Sequence, residues 1–298
     1  MSLEFKKPAL EDREAITAYY QQANSRSCED TFANIYLWNR LYPVEYAVTD
    51  GMMVLKSDME DFYFRFPKGD LKHLKVVLEK MMKYAEERNV SFKMGVVTPR
   101  QFELLEELFP GKFQIEYFRQ DADYIYEREK LANLSGKKYH GKKNHVNKFR
   151  KTYPDWQYEP ITDENVEECF QMALTWRSRN GCDEEVEKRT EMCVTLNSLR
   201  LMKELHLRGG CLRTGGKVVA FSIGEPLSQD TFVVHIEKAL TEYDGVYPMM
   251  NQQFVQRETE GFLYINREED TGDEGLRQAK LSYHPAFLTE KGIVTVKQ

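Results

Sequence analysis

The sequence predicts an α/β protein: an α+β mixed-sheet sandwich, built twice in tandem. Three observations carry this reading. The 298 residues correspond to two domains at about 150 residues each. Hydrophobic content of 41%, with 12% aromatic, supplies two cores. The element order also recurs. Each half passes from helical periodicity into an antiparallel meander, then alternates helix with strand.

In the first half, residues 11–24 repeat apolar positions at helical spacing, with Ile16, Tyr19 and Tyr20 on one face. Residues 45–49 and 52–56 flank Asp50-Gly51, a two-residue hairpin turn. Residues 61–66 read as the next strand. Residues 71–88 form an amphipathic helix capped by Asp70. A strand at 90–97 and a helix at 99–109 follow, the helix stopped by Pro110-Gly111. Residues 112–119 and 122–127 read as closing strands.

The second half begins after Pro154, with a strand at 156–161 and helices at 165–179 and 184–207. Residues 210–213 and 218–225 make a hairpin around Gly215-Gly216. A strand at 231–238, a helix at 246–261 and a strand at 262–266 come next. The last helix, 274–283, ends before Pro285. The domains expected are therefore 1–130 and 155–298, joined by a basic connecting helix at 131–154.

That connector is the sharpest compositional feature. It holds seven Lys or Arg and no acid, while residues 1–130 carry a net charge of -4 and 155–298 a net -9. A local positive field within an acidic chain suits an anion. On a helical wheel, Tyr139, Val146, Phe149 and Tyr153 fall within about 80° and should bury. Lys137, Asn144, Lys148 and Lys151 point away, to solvent. Lys142, Lys143 and Arg150 lie within about 60° of the apolar stripe, where a cation must snorkel, pair or line a cleft.

Composition excludes several classes. The net charge of -6 argues against a nucleic-acid-coating surface. Five scattered cysteines include no C-x-x-C pair, so reduced thiols in a cytoplasmic protein are expected and no zinc site. No stretch approaches the ~20 apolar residues that span a bilayer, so no membrane insertion is expected. The sequence lacks a P-loop, G-x-G-x-x-G, G-x-S-x-G and H-E-x-x-H.

Chemistry-bearing residues gather in the second half. On strand 231–238, Val233, His235 and Glu237 share one face. His235 and Glu237 are candidates for general base work. Gly245 then opens a helix at Val246, an arrangement that suits anions because the first backbone N–H groups are unpaired. Beyond strand 262–266 come Asn266, Arg267, Glu268 and Asp270, with Lys280 and Tyr283 further on. Polar groups of both signs at a strand's C-terminal edge suggest a binding site. The acids match no EF-hand loop, so no metal is expected.

The runs 136–149 (Gly-Lys-Lys-Tyr-His-Gly-Lys-Lys-Asn-His-Val-Asn-Lys-Phe), 235–239 (His-Ile-Glu-Lys-Ala) and 265–283 (Ile-Asn-Arg-Glu-Glu-Asp-Thr-Gly-Asp-Glu-Gly-Leu-Arg-Gln-Ala-Lys-Leu-Ser-Tyr) carry a resemblance. They resemble a family of uncharacterised bacterial proteins related to the C-terminal domain of phosphatidylglycerol lysyltransferases. The resemblance covers most of the chain. It implies two tandem GNAT-like acyltransferase domains, similar to Fem-type peptidoglycan aminoacyltransferases. It also implies transfer of an acyl or aminoacyl group, from acyl-CoA or aminoacyl-tRNA, to an amine or hydroxyl of a small-molecule or peptide acceptor. The GNAT pyrophosphate loop, Gln/Arg-x-x-Gly-x-Gly/Ala, corresponds here to Glu242-Tyr243-Asp244-Gly245-Val246-Tyr247. Only the central Gly is kept, and Glu242 and Asp244 would repel phosphate. Tyr283 falls near the family's general acid and Glu237 where a base often sits.

The expected site is then Glu237 and His235 as base candidates and Tyr283 as acid. Asn266, Arg267, Glu268, Asp270, Lys280 and Asn251 would bind substrate. Lys142, Lys143 and Arg150 would hold donor phosphates together with Gly245, Val246 and Tyr247. The alternative is a noncatalytic RNA- or nucleotide-binding protein, using the basic helix alone and binding tRNA with steep salt dependence.

Overall fold

The computed structural model of the chain describes residues 3–58, 62–181 and 186–297. Its strands are β1 (Glu45–Thr49), β2 (Met52–Asp58), β3 (Phe62–Arg65), β4 (Lys68–Gly69), β5 (Lys93–Val97), β6 (Phe113–Tyr117), β7 (Asp123–Glu127), β8 (Gln157–Pro160), β9 (Arg208–Thr214), β10 (Lys217–Pro226), β11 (Thr231–Ala239), β12 (Tyr264–Asn266), β13 (Phe287–Thr289) and β14 (Gly292–Val296). Its α-helices are α1 (Arg13–Ala23), α2 (Phe32–Leu37), α3 (Leu74–Glu87), α4 (Pro99–Leu108), α5 (Arg128–Asn133), α6 (His140–Thr152), α7 (Val166–Arg179), α8 (Val186–Arg200), α9 (Val246–Glu258) and α10 (Glu274–Leu281). The start of the expected strand at Asp61, the start of the expected helix at 184–185, and Cys182 lie outside the described residues.

The first compact unit comprises Met1–Asp123, Glu269–Asp273 and Leu288–Gln298. Its sheet runs β1-β2-β3-β5-β14-β6, with β4 also on β2. Only β3 and β5 are parallel among its strand pairs in the described residues. The Asp50-Gly51 turn closes β1 on β2 with φ of +48° and +72°, as a type I′ hairpin demands. Asp70 accepts a hydrogen bond from the Lys72 N–H, starting a 3-10 turn that runs into α3. α3 buries Leu74, Val77, Leu78, Met81 and Ala85 among Phe64, Phe92, Met94 and Phe113.

The second unit comprises Tyr124–Glu268 and Glu274–Phe287. Its sheet runs β13-β7-β12-β11-β10-β9-β8. β11 and β12 are parallel; β7–β12, β11–β10, β10–β9 and β9–β8 are antiparallel. A bulge between Ile223 and Gly224 shifts the register of β10 on β11. Gly224 is required there, because an added Cβ would lie 2.1 Å from the Val233 carbonyl oxygen.

Both sheets are mixed, as the sequence predicts. The compact units differ from the expected boundaries at 130 and 154, for reasons of strand pairing. β7, expected to close the first sheet, pairs with β12 instead, Ile265 opposite Tyr126. β14, near the C-terminus, lies between β5 and β6 of the first sheet. The basic connector is not one helix either. α5 ends at Leu134, in the left-handed region at φ +46°, and a turn at Gly136 (φ +99°) precedes α6. Three of the four residues of the apolar stripe bury as expected, Tyr139 just before α6 and Val146 and Phe149 within it, while Tyr153 is only half-buried. α6 packs on α9, so close that a Cβ on Gly245 would lie 2.4 Å from the His145 carbonyl oxygen.

Candidate active site

Glu237 projects from β11 into a knot of charge and aromatic rings within the second unit. Arg267, just after β12, donates from Nη2 to Glu237 Oε1 at 3.0 Å. Asn251 of α9 donates from Nδ2 to Glu237 Oε2 at 3.4 Å. The Arg267 guanidinium also lies 4.8 Å from the Tyr283 ring centre, with the Tyr126 ring at 5.9 Å. Two polar atoms are left over: Arg267 Nη1 and Asn251 Oδ1 are buried without a hydrogen-bond partner. Ser222, opposite Glu237 on β10, is fully buried with its Oγ also unpaired. Unpaired buried polar atoms at one spot are the mark of a place built to receive a polar group.

Tyr283, 5% exposed, follows α10. Burial pushes its hydroxyl well above the ordinary phenol range, with the Glu237 charge in the same sense and the Arg267 charge opposing. It therefore stays protonated at neutral pH and can donate. The Lys142 ammonium sits 4.1 Å above the Tyr283 ring centre. Burial, then repulsion by Arg267, lowers the Lys142 pKa.

Lys142 also lines an open groove of about 460 Å³, with His145, Thr241, Tyr243, Asp244, Gly245, Val246, Tyr247 and Pro248. The groove lies against the start of α9, whose cap Gly245 has φ +81° and could carry no side chain without strain. A helix N-terminus with a nearby cation suits an anion. The two loop acids expected to repel phosphate are each paired, Asp244 with Lys148 and Glu242 with Arg179.

The structure thus brings together Glu237, Arg267, Asn251, Tyr283 and Lys142, and joins Lys142 to Gly245, Val246 and Tyr247. The other expected site residues are placed differently. His235 cannot serve as the base. Its Nδ1 lies 2.8 Å from Glu268 Oε1 and its Nε2 3.0 Å from Glu225 Oε1, so both nitrogens donate to carboxylates. Burial disfavours its charge, but hydrogen bonds to Glu225 and Glu268 outweigh this and lift its pKa to about 10. Glu268 is engaged by that imidazolium rather than by substrate. Asn266 is fully buried and its Oδ1 accepts from the Glu268 N–H at 2.6 Å, supporting a residue held at φ +58°. Lys280 is buried and donates to the Arg267 carbonyl oxygen at 2.7 Å, so it braces the backbone. Asp270 belongs to the first unit, where it pairs with Arg119 at 3.3 Å and accepts from the Gly272 N–H. Lys143 is exposed, and Arg150 turns to Gln252 Oε1 at 3.2 Å and the Trp156 ring. Neither lines the groove.

The sequence reading missed Glu225, Tyr126 and Ser222. Glu225 ends the expected hairpin strand 218–225, and only the pairing of β10 with β11, bulged at Gly224, brings it to His235. The first unit holds a second buried charge cluster, also unforeseen. Lys291 Nζ lies 2.7 Å from Glu29 Oε1, 2.8 Å from Asp123 Oδ1 and 3.8 Å from Glu269 Oε2. Cys28, Glu29 and Glu269 are close enough to ligate a metal ion, but the Lys291 ammonium supplies the cation they face. The four described cysteines, Cys28, Cys169, Cys193 and Cys211, carry free thiols. Among the described residues, no helix is long and apolar enough to cross a membrane.

Comparison with known proteins follows the same architecture. Residues 20–291 match the family model described as phosphatidylglycerol lysyltransferase, C-terminal. A conserved protein of unknown function from Bacteroides thetaiotaomicron is 41% identical, with a TM-score of 0.93 over 99% of this chain and 100% of that one. L-PGS from Bacillus licheniformis is 12% identical, with a TM-score of 0.67 over 97% of this chain and 92% of that one, a likeness of fold alone. An uncharacterised protein of Mycoplasmoides gallisepticum is 23% identical over 194 residues, 64% of this chain and 61% of that protein. The chain thus spans about three fifths of that curated relative. The two mixed sheets thus share the fold of L-PGS from Bacillus licheniformis.

Proposed function

The chain belongs to the phosphatidylglycerol lysyltransferase C-terminal family, and on that premise we propose that it is an acyltransferase of the GNAT type. It moves an acyl or aminoacyl group from acyl-CoA or aminoacyl-tRNA to an amine or hydroxyl acceptor. One observation carries this reading: Lys142 lines the groove at the start of α9 and also lies 4.1 Å over Tyr283, so an anion-binding surface and a proton donor meet at one side chain.

In this scheme the donor's phosphates rest at Gly245, Val246 and Tyr247, and Lys142 stands between them and the reacting carbonyl at Tyr283. The acceptor's amine or hydroxyl attacks the carbonyl carbon. Glu237 takes its proton, Arg267 Nη1 donates to the oxyanion, and Tyr283 protonates the leaving sulfur or ribose oxygen. Arg267 and Asn251 orient the reacting groups. His235 acts at a distance, fixing Glu268 next to Arg267.

The test is direct. Labelled acetyl-CoA and labelled aminoacyl-tRNA are offered separately, with a panel of amine acceptors. Transfer from either donor supports the proposal. A second reading rests on Lys137, Lys143 and Lys151, which are exposed and unpaired among the described residues. They suit a noncatalytic RNA- or nucleotide-binding surface. Salt-sensitive tRNA binding without transfer, unchanged by Glu237→Gln and Tyr283→Phe, would favour that reading instead.

A further inference from the structure

Lys142 differs from every other lysine of α6 in what surrounds it. Lys148 is paired with Asp244. Lys143 and Lys151 stand in solvent. Lys142 is half-buried, and among the described residues its Nζ has no hydrogen-bond or ion-pair partner; its close contact is the face of Tyr283. The charged and titratable groups around it come from several elements. Arg267 follows β12, Glu237 is on β11, Tyr283 follows α10, and His145 lies one turn along α6. Tyr243, Asp244 and Tyr247 complete the groove wall. An amine placed this way is a nucleophile facing the donor groove.

We propose that the Lys142 amine is a self-acylation site, accepting an acyl or aminoacyl group from a thioester or ester bound in the groove beside Gly245. The idea rests on the transfer function argued above. Neutral Nζ attacks the donor's carbonyl carbon, and a C–N bond forms as the C–S or C–O bond breaks. The proton lost from nitrogen passes to the leaving sulfur or oxygen, so the products are an acyl-lysine and a free thiol or hydroxyl. The lowered pKa leaves more of the amine neutral at pH 7. Acylation removes the Lys142 ammonium from the groove wall, so it acts as a brake on donor binding.

The experiment has two arms on the intact protein. In the first, trace acetic anhydride labels the wild-type chain from pH 6 to 9, and peptide mass spectrometry compares Lys142 with Lys143, Lys148 and Lys151. Burial lowers the Lys142 pKa and so leaves more free amine at pH 7, and Lys142 is expected to label faster than Lys143. In the second, acetyl-CoA or aminoacyl-tRNA is added alone, and intact mass is read for wild type and Lys142→Arg. A mass gain mapped to Lys142, absent in Lys142→Arg, is the expected result. A donor mass gain mapped to Lys142 supports the proposal at any anhydride rate; slow anhydride labelling with no such gain, or a gain mapped to other lysines, overturns it. Fast labelling with no donor acylation, by donors that do transfer to a free amine, overturns it and leaves the transferase reading intact. Fast labelling with no transfer from either donor to any amine overturns both.

Discussion

Arg267 donates to Glu237 at 3.0 Å, with both side chains close to nine-tenths buried, at 13% and 12% exposed. A pair this enclosed costs more to break than to omit, because the survivor keeps an uncompensated charge. Glu237→Gln is expected to lower folding stability by about 1–3 kcal/mol in urea denaturation. It should also lower transfer by at least about 10²-fold through loss of the base. Arg267→Met should cost about 3 kcal/mol, since it leaves Glu237 buried with only Asn251.

His235 is a locked imidazolium. Its folded pKa of about 10 stands above the ordinary 6.5. Its stabilising contribution is therefore complete below about pH 6.5 and is lost as pH rises toward 10. Urea denaturation of wild type and His235→Gln should show a gap of a few kcal/mol at pH 6 that narrows steadily by pH 10. Its ring signals in NMR should not titrate between pH 5 and 8.

Lys291 is 2% exposed and faces three carboxylates in the first unit. Asp123 shows the strain of that cluster. Burial raises its pKa to about 7, Lys291 opposing, with the charges of Glu29 and Glu269 adding to the rise. Lys291→Met is expected to destabilise by about 3–5 kcal/mol, measured by thermal or chemical unfolding. By contrast, Lys148→Ala at the exposed pair with Asp244 should leave the unfolding midpoint unchanged, because solvent screens that pair.

Gly245 is held at φ +81° with the His145 carbonyl oxygen 2.4 Å from where a Cβ would sit. Gly245→Ala must therefore strain the backbone and push α6 from α9. A loss of about 1–3 kcal/mol is expected, with weaker donor binding, measurable by unfolding and by titration with labelled donor.

Local structure was legible in the sequence wherever one signal dominates. The Asp50-Gly51 turn, the Asp70 cap, the apolar face of α3 and the alternation of β11 each follow from near neighbours along the chain. Strand pairing was not legible, because nothing local tells β14 to enter the first sheet or β7 to join β12. The same limit explains the site. Glu237, Arg267 and Tyr283 drew attention as residue types near strand and helix ends. Their mutual distances depend on parallel pairing of β11 with β12 and on α10 following it. His235 was misread because its partners, Glu225 and Glu268, lie 10 and 33 residues away in sequence. Arg150 looked aimed at a cleft on a helical wheel, yet a wheel cannot see Gln252 and Trp156 waiting on other segments.

Single-turnover transfer of a labelled acyl or aminoacyl group, in wild type and in Tyr283→Phe, decides whether Glu237, Arg267 and Tyr283 form the proposed transfer site. Removal of one buried hydroxyl should leave donor affinity within about twofold while the transfer rate falls by at least about 10²-fold. A Tyr283→Phe protein that transfers at the wild-type rate, or a wild type that binds donor and never transfers it, would rule out that site.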